Sequence, residues 1–312
     1  MDLGDRGGMD DLRESLRLAL ELGLGVATVT GYINLGDIVW WDSGPAEGQK
    51  LYEEGRDFGE RRGLTRQVIW SSVQTLWTQY ELGHWDTLLA GAEKLIDQAR
   101  QTGAGPVHAA ASTYAALVRA GRGDRALLDP EALLRARDVA DPQVLVPALT
   151  VAALLEAANG HRDAALELLE EREEATRERP ISRAAFFLSL AIRVAVSLSD
   201  LELAERLMAG AAESMPRFQH MMLTSRAMLE EARSDDEAAA KHYLEAADAW
   251  RGYGNLLEEA EALQGAGRSL LALGRNDEAA PVLERADGIF SALGAQPFLI
   301  GAARGDIAAP GA

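Results

Sequence analysis

Seven turn residues, Ser43, Gly83, Gly121, Gly160, Ser199, Ser234 and Gly274, lie 40, 38, 39, 39, 35 and 40 residues apart. After most of them, small or apolar residues stand at fixed offsets, as with Ala279, Leu283 and Ala286 after Gly274, or Ala239, Tyr243 and Ala246 after Ser234. Two marks depart from the pattern. Gly160 is followed by Ala165 and Leu169 but then by Arg172, and the Asp129-Pro130 step after Gly121 makes the next helix start late. A repeat of this length cannot bury an apolar face within one copy, so adjacent copies must supply one another's interior.

The unit is clearest over residues 256–297, where apolar or small residues recur at helical spacing on both sides of Gly274. It reads as a helical hairpin. Gly274 ends the first helix, where a positive φ costs glycine little, and Asp277 is placed to cap the second. The same reading predicts an all-α fold of seven hairpins, at 26–62, 65–102, 106–138, 142–178, 181–213, 215–252 and 256–293. A lone helix at 9–22 precedes them and a short capping helix at 296–304 follows. The lone helix lacks a partner, so Leu12, Leu16, Leu18, Ala19 and Leu22 are expected to be uncovered, as in a fragment of a longer protein.

Tyr32, Leu35, Gly36, Val39, Gly48, Tyr52 and Gly55 resemble the large, large, small, large, small, aromatic, small pattern of the tetratricopeptide repeat, as do Leu263, Ala266, Gly267, Leu270, Ala279, Leu283 and Ala286. The copies exceed the usual length of about 34 residues. In this, and in stretches such as LLALGRNDEAAPVLERADGIFSALGAQP, the chain is similar to the C-terminal helical-repeat region of actinobacterial signalling proteins. Those carry a nucleotidyl cyclase domain and a P-loop ATPase domain and are related to ATPase regulators of the maltose-regulator type. The resemblance implies a right-handed superhelix, an α-solenoid, whose concave face receives a protein or peptide partner, or an upstream ATPase or cyclase domain of the same polypeptide.

Composition narrows the chemistry. The chain is 47% hydrophobic with 10 prolines, which suits helices, and without cysteine it has neither disulfides nor thiolate metal ligands. A formal charge of −18, with arginines interspersed among carboxylates, argues against nucleic acid as a partner. The start lacks the features of a secretory signal. The apolar stretches VLVPALTVAALL and AAFFLSLAIRVAV are too short, or broken by Arg193, for a span of about 20 residues, so a soluble cytoplasmic protein is expected. No phosphate-loop, dinucleotide, nucleophile-elbow or HExxH motif occurs, and no histidine has a partner four residues away. The expectation is therefore a non-catalytic module without cofactor or metal.

The specific signal is aromatic: five of the six tryptophans, Trp40, Trp41, Trp70, Trp77 and Trp85, fall within 46 residues. The resemblance implies that the first helix of each hairpin lines the concave surface, which selects Trp40, Trp41, Trp70, Trp77, Tyr80, His108, Phe186 and Arg193 as candidate binding residues. Val73, Arg119, Met221, Met228 and Arg268 occupy the same register. A stripe at helical spacing serves equally as packed core, and Trp77 fits the periodic set Ile69, Val73, Leu76 and Tyr80. The two functional readings are a protein-interaction module and a small-molecule inducer sensor with an aromatic pocket in the N-terminal repeats.

Overall fold

The computed structural model describes residues 7–177, 186–209 and 215–298, and every regular element among them is an α-helix. In chain order these are α1 (Gly7–Glu21), α2 (Gly25–Ser43), α3 (Pro45–Glu60), α4 (Thr65–Glu81), α5 (Trp85–Thr102), α6 (Gly105–Gly121), α7 (Pro130–Val139) and α8 (Pro142–Ala158). They continue as α9 (Arg162–Thr176), α10 (Leu188–Ser197), α11 (Leu201–Ala209), α12 (Pro216–Ala232), α13 (Asp236–Tyr253), α14 (Leu256–Ala272) and α15 (Asn276–Leu293). None is long and apolar enough to cross a membrane.

The helices end by a recurring device. At most turns an amide reaches back five residues to a helix carbonyl, as in His84 to Gln79, His161 to Glu156, Asp235 to Glu230 and Arg275 to Leu270. This satisfies carbonyls that the helix leaves unpaired and requires a left-handed residue just before the donor. Gly83 (φ 76), Gly160 (φ 80) and Gly274 (φ 74) supply it, and Ser199 (φ 58) and Ser234 (φ 63) adopt the same backbone at some cost. Asp277 does not cap α15. Arg275 stands at the cap position, where its side chain makes no capping bond, and Asp277 lies inside the first turn beside Glu278, where a negative charge favours the helix dipole.

Two layers result. α6, α8 and α14 are buried on nearly every face, whereas α5 buries one stripe, Leu88, Ala92, Leu95 and Ala99, and α9 only Ala165, Leu169 and Arg172. The first helices of the hairpins thus form an inner layer and the second helices an outer one. The inner layer closes on itself, because α12 packs against α2 and the end of α13 reaches the same place. There the Tyr253 hydroxyl donates to the Trp40 carbonyl at 2.5 Å. Gly44 (φ 109) faces the Tyr253 carbonyl so closely that any Cβ would strike it. Residues 296–298 are not helical. The Gln296 amide donates to the Gly121 carbonyl at 2.7 Å and the Phe298 amide to Glu261 at 2.6 Å, while the rest of the expected capping helix, 299–304, lies outside the described residues.

At the other end, α1 covers more of itself than its sequence implies. Leu16 and Ala19 are buried, with Leu16 lying close against Gly31 of α2, and Leu12 is half-buried. Leu18 and Leu22 are exposed, together with Leu20, Leu24 and Val26.

Close helix approach makes a direct test. A Cβ on Gly48 would come within 2.5 Å of the Trp40 Cβ and 3.1 Å of the Gly36 carbonyl oxygen, whereas Gly288 of α15 meets open space. Gly48→Ala is expected to lower stability by about 1–3 kcal/mol through overpacking. Gly288→Ala should raise it by about 0.5–1 kcal/mol through helix propensity. Urea unfolding of both variants measures the difference.

Candidate functional site

Most of the aromatic residues picked out in the sequence meet in the sealed centre. Trp40 and Trp77 lie 5.6 Å apart between ring centroids, Trp77 and Phe186 5.7 Å, and Trp41 packs on Phe186 at 6.1 Å and Phe218 at 5.5 Å. Tyr80 stacks on Trp85 at 5.9 Å with its plane 5° away, and Tyr114 and Phe187 complete the cluster. Trp40, Trp77 and Phe186 are at most 2% exposed. The space an aromatic pocket would need is thus filled by Phe186, Phe218 and Tyr114. Trp70 stands at the margin, half-buried, and bridges this cluster to a smaller one of Val29, Ile33 and Phe58.

Charges are buried with the rings. Glu81 of α4 receives the Arg217 guanidinium at 2.7 and 3.1 Å and the Trp40 Nε1 at 2.6 Å, and Arg217 lies 4.6 Å over the Trp40 ring. Both ion-pair side chains are 3% exposed. Arg193, 2% exposed, faces Glu258 at 3.3 Å and Glu261 at 3.5 Å. Burial pushes the Glu261 carboxyl above its usual range, with the Arg193 guanidinium opposing. Burial likewise pushes the Tyr80 phenol well up. Arg172 donates to the Thr150 hydroxyl and the Phe186 carbonyl, and burial lowers its pKa to about 10. Chemically this is a network that holds helices together; its donors and acceptors face one another across the core.

Glu81, Arg217, Glu258, Glu261 and Arg172 were not among the candidates. Their signal was a charge in an otherwise apolar register: Glu81 is one helical turn beyond Trp77, and Arg172 stands where the repeat asks for a small residue.

His108 goes elsewhere. It begins a face of α6 that continues through Ser112, Ala116 and Arg119 toward a cleft of about 440 Å³. The other walls are Glu93, Ile96, Asp97 and Arg100 of α5 and Asp124, Ala126, Leu127 and Asp129 of the non-helical segment before α7. His108 is 4% exposed, and its Nε2 lies 3.7 Å from Asp129 Oδ2.

No protein-family model and no curated protein matches the chain. Among solved structures it is similar to the crystal structure of BtubC (BKLC) from P. vanneervenii, at 18% identity and a TM-score of 0.46, over 67% of this chain and 92% of that one. At that distance the likeness carries no argument about function.

The central pair is open to measurement. Glu81→Gln or Arg217→Met alone leaves one buried charge unmatched and is expected to cost about 3–5 kcal/mol. The double variant should cost clearly less than the two together, as for groups in direct contact. A double-mutant cycle by chemical denaturation reads this; additive losses would show that the pair is uncoupled.

Proposed function

We propose that this chain is a tetratricopeptide-like interaction module of regulatory type, which takes up an amphipathic helix of a protein partner on the outer edge where α1 meets α2. The observation that carries this reading is the row Leu18, Leu20, Leu22, Leu24 and Val26, exposed by 42, 42, 69, 51 and 51%. Five large apolar side chains exposed within nine residues, at the end of α1 and the start of α2 of a chain with formal charge −18, mark a place that another surface covers. Hairpins that bury their faces only on neighbours bind further helices by the same apolar contact, which makes a helix the natural occupant. The inner faces of the first helices are filled by the chain's own C-terminal hairpins, so this edge takes the role expected of a concave groove. The sequence resemblance adds the kind of partner, an ATPase or cyclase domain of a signalling protein.

The test pairs the Leu20→Glu/Leu22→Glu variant with a labelled peptide of residues 85–102, the one-striped amphipathic helix α5 of this chain. Fluorescence anisotropy should show binding to the unaltered protein and at least about tenfold weaker binding to the variant, a loss of about 1.4 kcal/mol. The thermal midpoint should stay within a few degrees, since both side chains are exposed. Equal binding by both proteins would refute the edge as a docking site. A concentration-dependent dimer that the variant loses would assign it to a second copy of this chain.

A further inference from the structure

The cleft between α5, α6 and residues 122–129 shares no residue with the α1–α2 edge and has the makings of a separate site. It exists because α7 begins only at Pro130, so the outer wall beside α5 is missing its first turns. Its ion pairs are long and partly exposed to solvent. Arg119 stays 3.7 Å from Glu93, and Arg100 stays 3.9 Å from Asp97 and 3.8 Å from Asp129, all beyond hydrogen-bond length. Both guanidiniums are about half exposed, at 48 and 55%. The loop carboxylates are held in place from behind: Asp124 Oδ1 accepts the Ala126 amide at 2.9 Å and Asp129 Oδ1 the Glu131 amide at 3.0 Å.

A buried histidine lies beside the cleft. His108 is almost wholly buried, yet neither of its ring nitrogens has a hydrogen-bond partner, and its Nε2 is turned toward the second oxygen of Asp129. An imidazole always carries at least one N–H, and leaving that donor unmatched in the interior is costly. Asp129, which His108 faces, lines the cleft, so an unmatched imidazole stands directly behind that wall. Ile96, Ala116, Ala126 and Leu127 give it an apolar wall.

We propose that this cleft binds a small zwitterion with an apolar body, an amino acid or short peptide with free termini. Arg119 and Arg100 hold its carboxylate, Glu93 and Asp97 its ammonium group, and the apolar wall its side chain. Guanidiniums favour planar carboxylates, opposed carboxylates favour an ammonium, and a volume near 440 Å³ lies in the range of small-ligand sites. A ligand with only a negative charge would leave the four carboxylates of the lining unengaged, and one with only a positive charge the two guanidiniums.

Calorimetric titration with four probes tests this: L-leucine, leucyl-leucine, N-acetyl-L-leucine and L-leucinamide. Leucine or the dipeptide should bind, and both the acetylated and the amide forms should bind at least about tenfold more weakly. Arg119→Ala should abolish the preference for leucine over leucinamide. Glu93→Gln/Asp97→Asn should abolish the preference over N-acetyl-leucine. All three side chains are about half exposed or more, so the fold is expected to tolerate both changes, and unaltered thermal midpoints check this. Absence of heat from leucine and dipeptide at about 10 mM would overturn the proposal, since affinity weaker than that is negligible. So would equal binding of the acetylated form, or inorganic phosphate binding in place of leucine, either of which makes it a simple anion site.

Discussion

The bond between Glu81 and Arg217 joins groups 136 residues apart, at a depth where neither is wetted. A carboxylate cannot be buried alone without a cost of several kcal/mol, so α4 reaches its final position only when α12 brings the guanidinium. The same step lets Trp40 give its indole N–H to Glu81 and its carbonyl to Tyr253. Helices from the start of the chain, α2 and α4, are thereby tied to α12 and the end of α13. Closure also explains why α2 and α4, early in the chain, are rich in large aromatics: their inner faces meet helices from the far end, and wide rings fill the space that two converging layers leave.

Specificity is a better account of the buried charges than stability. Buried ion pairs roughly break even against apolar replacements, whereas a mismatched one is heavily penalised. Trp41 and Trp77 bury indole N–H groups with no partner, so the centre is not optimised for polar satisfaction. As a hypothesis, the Glu81–Arg217 and Arg193–Glu258–Glu261 groups fix which hairpin meets which. In a chain of similar repeats many apolar registers are nearly equivalent, and only the correct one matches charge to charge.

How much of this was legible in the sequence depends on whether the signal was local. Helix positions were legible, because turn glycines and serines, proline at helix starts and apolar spacing act within a few residues; Pro130, Pro142 and Pro216 all open helices. The aromatic stripe was legible as a stripe. Its role was not, since a tryptophan on an inner face looks the same whether another helix covers it or solvent does. Closure depends on Glu81, Arg217 and Tyr253 meeting across the whole chain, and no periodicity encodes that contact. Leu16 and Ala19 show the converse error: they look uncovered when the missing neighbour is counted, but α2 approaches closely enough at Gly31 to bury them.

The two departures from the repeat turned out to be informative for opposite reasons. Arg172 replaces a small residue, and its long side chain spans to Thr150 and the Phe186 carbonyl, so a position that normally lets helices touch instead holds a polar strut. The late start of α7 removes wall instead of adding a strut, and the exposed flanks of α5 and α6 become a cleft. The recess lies where the hairpin repeat read from the sequence fails. The segment from Arg122 to Asp129 is such a failure. Six of the eleven residues that line it are charged, whereas a mere packing defect between apolar helices would be lined throughout by the leucines and alanines that elsewhere fill the seams.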